Sequence, residues 1–246
     1  MKTSNKILLT ALALLIVFIA AVAITFKVKL KDFIIEGDGN TIVHEQTIEP
    51  FDKLIIDGAI SIEYVLGESN TLTIEADSNL IQNIEISQSD KTLKIKRSKS
   101  NRKHIMGTLT APMVNDILLS SGAKLVSKDT IQAQTLDFIV NAGGSLSLIG
   151  NFETITSTIN AGAKATLAGT CKVMKVSLNA GSELKSLKMD TDFLSIKANA
   201  GSNANVNSKE LEVSATSGSV IRYNEGAIFK KMETSSGGYV QSRKNN

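Results

Sequence analysis

The chain has 246 residues, a formal net charge of +3, one cysteine, no tryptophan and 4% aromatic residues. A single cysteine excludes an internal disulfide framework and a multi-cysteine zinc site, and the small net charge gives no sign of a nucleic-acid partner. The abundance of Gly, Ser, Thr, Asn, Ile, Leu and Val favours short strands and tight turns over long helices.

Residues 1–30 form a separate segment built on one apolar run. Residues 7–26 read ILLTALALLIVFIAAVAITF, with lysines on both sides, and about 20 apolar residues suffice to cross a bilayer as a helix. We therefore predict one N-terminal hydrophobic helix that anchors the chain in a membrane. The alternative is a signal peptide cleaved near Ala23. Either way the remainder is expected to be exported, either anchored and facing the periplasm or cell surface, or secreted.

Residues 31–110 are strand-rich but irregular, and we predict that they form the first part of the β domain. A turn is expected at QSDK, residues 88–91, and a chain corner at Gly58. The end of this part is basic, which is typical of a solvated loop, with anionic polysaccharide or lipid head groups as the alternative partner. The basic residues are Lys94, Lys96, Arg97, Lys99, Arg102 and Lys103.

Residues 111–246 carry a repeat marked by a small tetrad that reads NAGG at 141–144, NAGA at 160–163, and NAGS at 179–182 and 199–202. The tetrad glycines and their counterparts are spaced by 21, 19, 19, 20, 17 and 19 residues. A fixed period in this range indicates a repeat architecture. The glycines are Gly122, Gly143, Gly162, Gly181, Gly201, Gly218 and Gly237.

Apolar residues alternate on both sides of each glycine, which is typical of strands. Leu136, Phe138 and Val140 precede Gly143 at odd offsets, and Leu146 follows it. About 19 residues cannot hold both a strand and a crossover helix, and neither the leucine-rich-repeat pattern nor a 40-residue propeller unit is present. The sequence therefore predicts an all-β fold, a right-handed parallel β-helix with coils of about 19 residues.

The tetrad is interpreted first as a folding device. Glycine supplies a corner conformation or a close approach, and Asn141, Asn160, Asn179 and Asn199 fall on the outward register, where stacked amides can form a ladder. The second interpretation of these four asparagines is a ligand-binding stripe along one face of the solenoid.

The sequence also resembles a known family, the bacterial putative autotransporter adhesins with a head GIN domain. The resemblance rests on FDKLIIDGAISIEYVLGESNTLTIEADSNLIQNIEI, on KTLKIK, on LTAPMVNDILLSSGAKL and on the recurring corners, and it covers residues 36–242. It implies a β-helical fold and a location outside the cytoplasm, and it supplies no catalytic residues.

The leading functional hypothesis is a non-enzymatic surface or periplasmic module that binds a polysaccharide or another envelope or extracellular polymer, adhesion being one form of this. The alternative is a membrane-anchored periplasmic scaffold or sensor that binds an envelope or surface protein. No nucleic-acid partner and no cofactor are expected. No metal is expected either, because the metal-binding repeat motif GGxGxD does not occur.

A polysaccharide-active enzyme is the remote alternative. Glycoside hydrolysis usually needs two carboxylates, and the best local pair is Asp190 and Asp192. Aromatic residues for stacking on sugars are few, which argues against this hypothesis. Cys171 lies in an alternating apolar pattern and is interpreted as a small buried thiol.

Overall fold

The computed structural model describes residues 12–22, 36–98 and 105–243. Residues 12–22 form helix α1. In these three ranges, no helix combines the length and the apolar character needed to span a membrane. The predicted span 7–26 extends beyond the described residues, and the predicted cleavage point at Ala23 lies outside them.

Strands make up most of the remainder of the described chain, which has one short helix, α2 (Ser78–Ile81). The strands are β1 (Thr41–Thr47), β2 (Lys53–Asp57), β3 (Ile60–Leu66), β4 (Thr71–Asp77), β5 (Ile84–Ser89), β6 (Thr92–Arg97), β7 (Ile105–Ala111), β8 (Asp116–Ser120), β9 (Lys124–Val140), β10 (Ser145–Ile159), β11 (Lys164–Leu178), β12 (Glu183–Ala198), β13 (Asn203–Ala215), β14 (Val220–Asn224), β15 (Ile228–Thr234) and β16 (Tyr239–Arg243).

These strands form a β-solenoid of about seven turns with coils of about 19 residues, which confirms the predicted fold class. Each of β9 to β13 pairs in parallel with the next, and inward positions stack on inward positions, as in Leu146↔Ala165↔Leu184↔Ala204. Neighbouring strands of such a ladder lie about 4.8 Å apart, so each coil adds one layer to a continuous column.

The first coils are not stacked in chain order. Strand β2 lies between β6 and β8, and β3 lies between β7 and β9, all in parallel. The β6–β7 layer therefore lies beyond the β2–β3 layer, although it comes later in the sequence. Antiparallel β4 and β5 cover that layer, and β1 pairs with β4 at the outside. The expected turn at 88–91 joins β5 and β6, with Asp90 and Lys91 both at positive φ.

One corner of each coil is a two-residue turn in which both residues have positive φ, as Ala161 (52°) and Gly162 (71°) do. The Ala163 N–H donates to the Asn160 carbonyl at 3.2 Å, so the corner has the φ pattern and hydrogen bond of a type I′ turn. An added Cβ at Gly162 would meet nothing within 4 Å. Glycine is therefore present here for its conformation, not to relieve crowding.

The second bend of the coil is crowded instead. Gly150 and Gly169 stack on one another in adjacent coils, and a Cβ added to Gly169 would lie 2.0 Å from the Gly150 carbonyl oxygen. Between these two coils the backbones pass too close to admit a side chain, whereas Ile131 and Met189 occupy the matching positions of the coils on either side.

The core is a single column of inward side chains that runs from the first layers through β14. Leu136, Phe138 and Val140 are buried as the alternation predicted, and so is Leu146. Burial of each such leucine or phenylalanine contributes about 1.5–3 kcal/mol, which makes this column the main favourable term in folding.

The two kinds of glycine predict different costs of substitution. We expect Gly162→Ala to lower the free energy of unfolding by about 1–2 kcal/mol, because alanine strains the left-handed conformation without a clash. We expect Gly169→Ala to cost more than about 3 kcal/mol, since its φ is positive and its Cβ meets backbone. Denaturant unfolding of both variants measures the difference, and equal losses would contradict this assignment.

Candidate functional site

The second bend carries a groove of about 440 Å³ that crosses five consecutive coils. We call it the polar groove. Its lining residues are Gln132, Ala133, Gln134, Asn151, Phe152, Glu153, Thr170, Cys171, Lys172, Asp190, Asp192 and Lys209. Because equivalent residues stack along the ladder, the polar members form two rows along the solenoid.

The first row consists of amides, a hydroxyl and a carboxylate in register. Gln132, Asn151, Thr170 and Asp190 occupy matching positions of β9 to β12. The Thr170 hydroxyl donates to Asn151 Oδ1 at 2.8 Å, and Asn207 Nδ2 donates to Asp190 Oδ1 at 2.7 Å. This row offers a series of exposed hydrogen-bonding groups, one layer apart.

The second row is charged and alternates in sign. Lys172 Nζ lies 2.6 Å from Glu153, and Lys209 Nζ lies 2.7 Å from Asp192. The hydrogen bond from each lysine to its carboxylate raises the pKa of that lysine. These pairs are exposed and screened by water, so they contribute little to stability.

The floor between the two rows is apolar. Phe152 and Cys171 stack in adjacent coils and are both buried. Burial raises the pKa of the Cys171 thiol to about 11, and its Sγ lies 3.2 Å from the Val173 carbonyl oxygen. The structure thus supports a small buried thiol, and Val173, two residues further on, is half-buried.

The groove owes part of its shape to unequal coil lengths. From Gly181 to Gly201 the chain uses 20 residues, and from Gly201 to Gly218 only 17. The β12–β13 register therefore jumps between Ser186 and Thr191, so that residues 187–190 of β12 lie opposite Asn207 alone. A bulge redirects side chains locally, and here it brings Asp190 to the groove.

The predicted carboxylate pair lies in this groove. Asp190 and Asp192 alternate with buried Thr191, so both point outward from the same face of β12. Asp190 accepts from Asn207, and Asp192 is ion-paired with Lys209. Within the described ranges, no group of three or more His, Cys, Asp or Glu residues is placed to hold a metal ion.

The predicted asparagine stripe lies at the corner and forms a partial ladder. Asn160 Nδ2 donates to Asn141 Oδ1, and Asn179 Nδ2 donates to Asn160 Oδ1, both at 2.9 Å. Asn199 is bonded differently: its Oδ1 accepts from the Thr216 hydroxyl at 3.0 Å and from the Ala200 N–H. The ladder supports the folding-device interpretation, and the binding stripe stays a prediction.

The basic stretch is only partly within the described residues, since Lys99, Arg102 and Lys103 lie outside them. Lys94, Lys96 and Arg97 belong to β6. Arg97 Nη1 donates to the Ala59 carbonyl at 2.8 Å, and partial burial lowers the pKa of Arg97. Arg97 therefore helps to hold the first layers together.

The residues of the polar groove, apart from Asp190 and Asp192, were missed as site candidates in the sequence. A signal for them exists: Asn151 follows Gly143 by eight residues, and Thr170 follows Gly162 by eight. Extending the forward count from each corner past the first apolar residue would have aligned these two. Asp190, nine residues after Gly181, falls out of step because of the bulge.

The family model described as "Putative auto-transporter adhesin, head GIN domain" matches residues 50–227. The chain belongs to this family. None of the curated proteins matches it at a significant level.

Solved structures share the fold of this head GIN domain at low sequence identity. A putative adhesin from Bacteroides fragilis NCTC 9343 is 16% identical with a TM-score of 0.73, over 85% of this chain and all of that one. A putative lipid binding protein from Parabacteroides distasonis ATCC 8503 is 14% identical with a TM-score of 0.70, over 86% and all of the respective chains. A putative adhesin from Parabacteroides merdae ATCC 43184 gives 16% and 0.66, over 86% and 99%.

The ladder of this head GIN domain predicts a position-dependent cost. Asn160 is bonded to both neighbouring asparagines, so we expect Asn160→Ala to lower the free energy of unfolding by about 1–2 kcal/mol. Asn141 lies at the end of the ladder, so we expect Asn141→Ala to lower the free energy of unfolding by about half as much. Denaturant unfolding measures both, and an Asn160 cost no larger than that of Asn141 would show that the side-chain bonds add nothing.

Burial of Cys171 predicts slow thiol chemistry. With a pKa of about 11, the thiolate fraction at pH 8 is about a hundredfold below that of an ordinary cysteine, and access is also blocked. We therefore expect a disulfide reagent to react with Cys171 at least about a hundredfold faster in the unfolded chain than in the folded one. Similar rates in the folded and unfolded chain would contradict the buried position.

The same shift gives a pH dependence of stability. The unfolded thiol ionises near its ordinary pKa and the folded one near 11, so the unfolded chain binds fewer protons between these values. The free energy of unfolding should therefore fall as the pH rises through this window. Cys171→Ser should remove this component, which urea titrations at several pH values would detect.

Proposed function

We propose that the chain is a non-enzymatic extracytoplasmic module that binds an extended polysaccharide of the envelope or the extracellular surroundings along the polar groove. The observation that carries the proposal is the row of exposed amide, hydroxyl and carboxylate groups repeated layer after layer. Solenoids commonly bind through such extended repeated surfaces.

The groups of the polar groove suit a sugar polymer. Asn151 and Thr170 can donate to and accept from sugar hydroxyls, and the Asp190 carboxylate can accept from them. The sign-alternating second row adds charge-assisted hydrogen bonds. A polymer that lies along the solenoid axis meets a similar set of groups at every layer. Weak contacts to single sugars then add up along the chain.

The surroundings of the carboxylates favour binding over hydrolysis. A glycosidase needs one carboxyl group that is kept protonated, commonly in an apolar pocket, and a second one across the scissile bond. Asp190 and Asp192 are instead exposed side by side on one strand, bonded to Asn207 and Lys209. The adhesin names of the family and of two structural neighbours agree with a surface role.

The test is an array of bacterial and host polysaccharides and envelope polymers probed with the full chain. We expect selective binding that Asn151→Ala/Thr170→Ala weakens at least about tenfold. The matched control is Thr156→Ala/Ser195→Ala, two polar residues of one outward row outside the groove lining. It should bind as the unchanged chain does.

Two outcomes would overturn the groove proposal. Loss of binding in Asn160→Ala/Asn179→Ala, with the groove variant unaffected and both variants folded, would move the site to the asparagine stripe. Binding to no polymer by a folded chain would favour a protein partner and the scaffold or sensor alternative.

A further inference from the structure

A second concavity lies on the other side of the bulge and has a different chemistry. It holds about 360 Å³ and is lined by Ala168, Lys185, Leu187, Lys188, Asn205 and Arg243 among others. We propose that this cationic pocket binds an amphiphile with one anionic head group and one alkyl chain.

The bulge creates the apolar part of the pocket. Lys185 pairs with Thr166, but Lys188 pairs with Ala168, so β12 has one more residue than β11 in this interval. Ser186 points inward and is buried, Leu187 is half-buried at the surface, and the inward alternation resumes only at Met189 because Lys188 is also exposed. A large apolar side chain is thereby placed between the exposed Lys185 and Lys188.

Leu187 lies beside a short apolar strip, since it precedes Lys188, the β12 partner of Ala168. Ile149 and Ala168 occupy matching outward positions of β10 and β11, and Ile149 is 46% exposed. The neighbouring outward row is polar, with Ser147, Thr166 and Lys185 in register. An apolar strip bordered by polar residues points to a binding surface for an apolar group.

The rim of the pocket carries unbalanced positive charge. Lys185 is 3.4 Å from Glu183, which also pairs with Lys164. Over the described part of the chain, by contrast, Lys188 and Arg243 have no carboxylate within ion-pairing distance. Two cations beside an apolar strip are complementary to an anionic head group joined to a hydrocarbon chain.

The cationic pocket is independent of the polar groove, since the two share no lining residue. Its volume falls in the range of small-molecule sites. A free inorganic anion would leave the apolar strip uncovered. The combination of floor and rim is therefore what selects an amphiphile.

Isothermal titration of the full chain with dodecanoate, in detergent-free buffer and below the concentration at which micelles form, tests the proposal. We expect one saturable site that Lys188→Gln/Arg243→Gln weakens at least about tenfold. Lys175→Gln/Lys197→Gln removes the same charge from outward positions elsewhere and should bind normally. Leu187→Asn, which removes the apolar floor, should weaken binding as well.

Three results would overturn the proposal. Equal binding by the Lys188/Arg243 variant and its control would place the probe elsewhere, for example on the apolar residues 7–26. Equal affinity for dodecyltrimethylammonium would remove the role of charge. Displacement of dodecanoate by equimolar inorganic phosphate would reduce the site to a simple anion site. Circular dichroism confirms folding of each variant, and the paired charge variants decide the outcome should Leu187→Asn not fold.

Discussion

The register of the corner turns is the constraint on which the rest of the molecule depends. At each corner the glycine N–H donates to the carbonyl of the alanine or serine in the next coil, as Gly162 does to Ala180 at 3.0 Å, and the tetrad's first residue donates backward, as Asn160 does to Val140 at 2.9 Å. These bonds run in both directions along the axis, so one corner cannot shift without breaking bonds to two neighbours. Buried main-chain groups without partners are costly, and the corners therefore stay in register although coil length varies from 17 to 21 residues.

The variation in length is absorbed mainly at the second bend. Register shifts occur between Ser147 and Ile149, between Thr166 and Ala168, and between Ser186 and Thr191, all on the approach to that bend. Both concavities lie there, the polar groove on one side and the cationic pocket on the other. This follows from the corner constraint: a residue added to a coil must leave the ladder somewhere, and a bulge at the bend costs fewer inter-coil bonds than one at the corner.

The regular coils could be predicted because their information is local and repeated. Gly143, Gly162 and Gly181 mark the corners, and the alternation around them, such as Leu136-Phe138-Val140, marks the inward face. The asparagine ladder followed from the same alignment as far as Asn179. It changes at Asn199, where Ser202 Oγ accepts the Asn199 N–H and the side chain turns to Thr216. The stacking of β6–β7 beyond β2–β3 was not predictable, because pairing between distant strands leaves no periodic trace. In the polar groove, Asn151 and Thr170 lie at the same distance from their corner glycines, but Asp190 joins their row only once the bulge has set the register.

The corner and the bend place different requirements on the sequence. This difference explains how the fold persists at 14–16% identity with TM-scores of 0.66 to 0.73. The corner needs a left-handed pair and a small residue after it: a Cβ added at Gly238 would lie 2.0 Å from the Ala215 carbonyl oxygen. The inward row needs only apolar volume, which many sequences supply. Outward residues at the bend are subject neither to the conformational requirement of the corner nor to the need for apolar volume. Asn151, Lys172 or Leu187 can therefore change without loss of the stacked coils. A shared solenoid therefore says little about the ligand; chemistry that distinguishes this chain has to lie in the rows at the bend, where the fold leaves side chains free to vary.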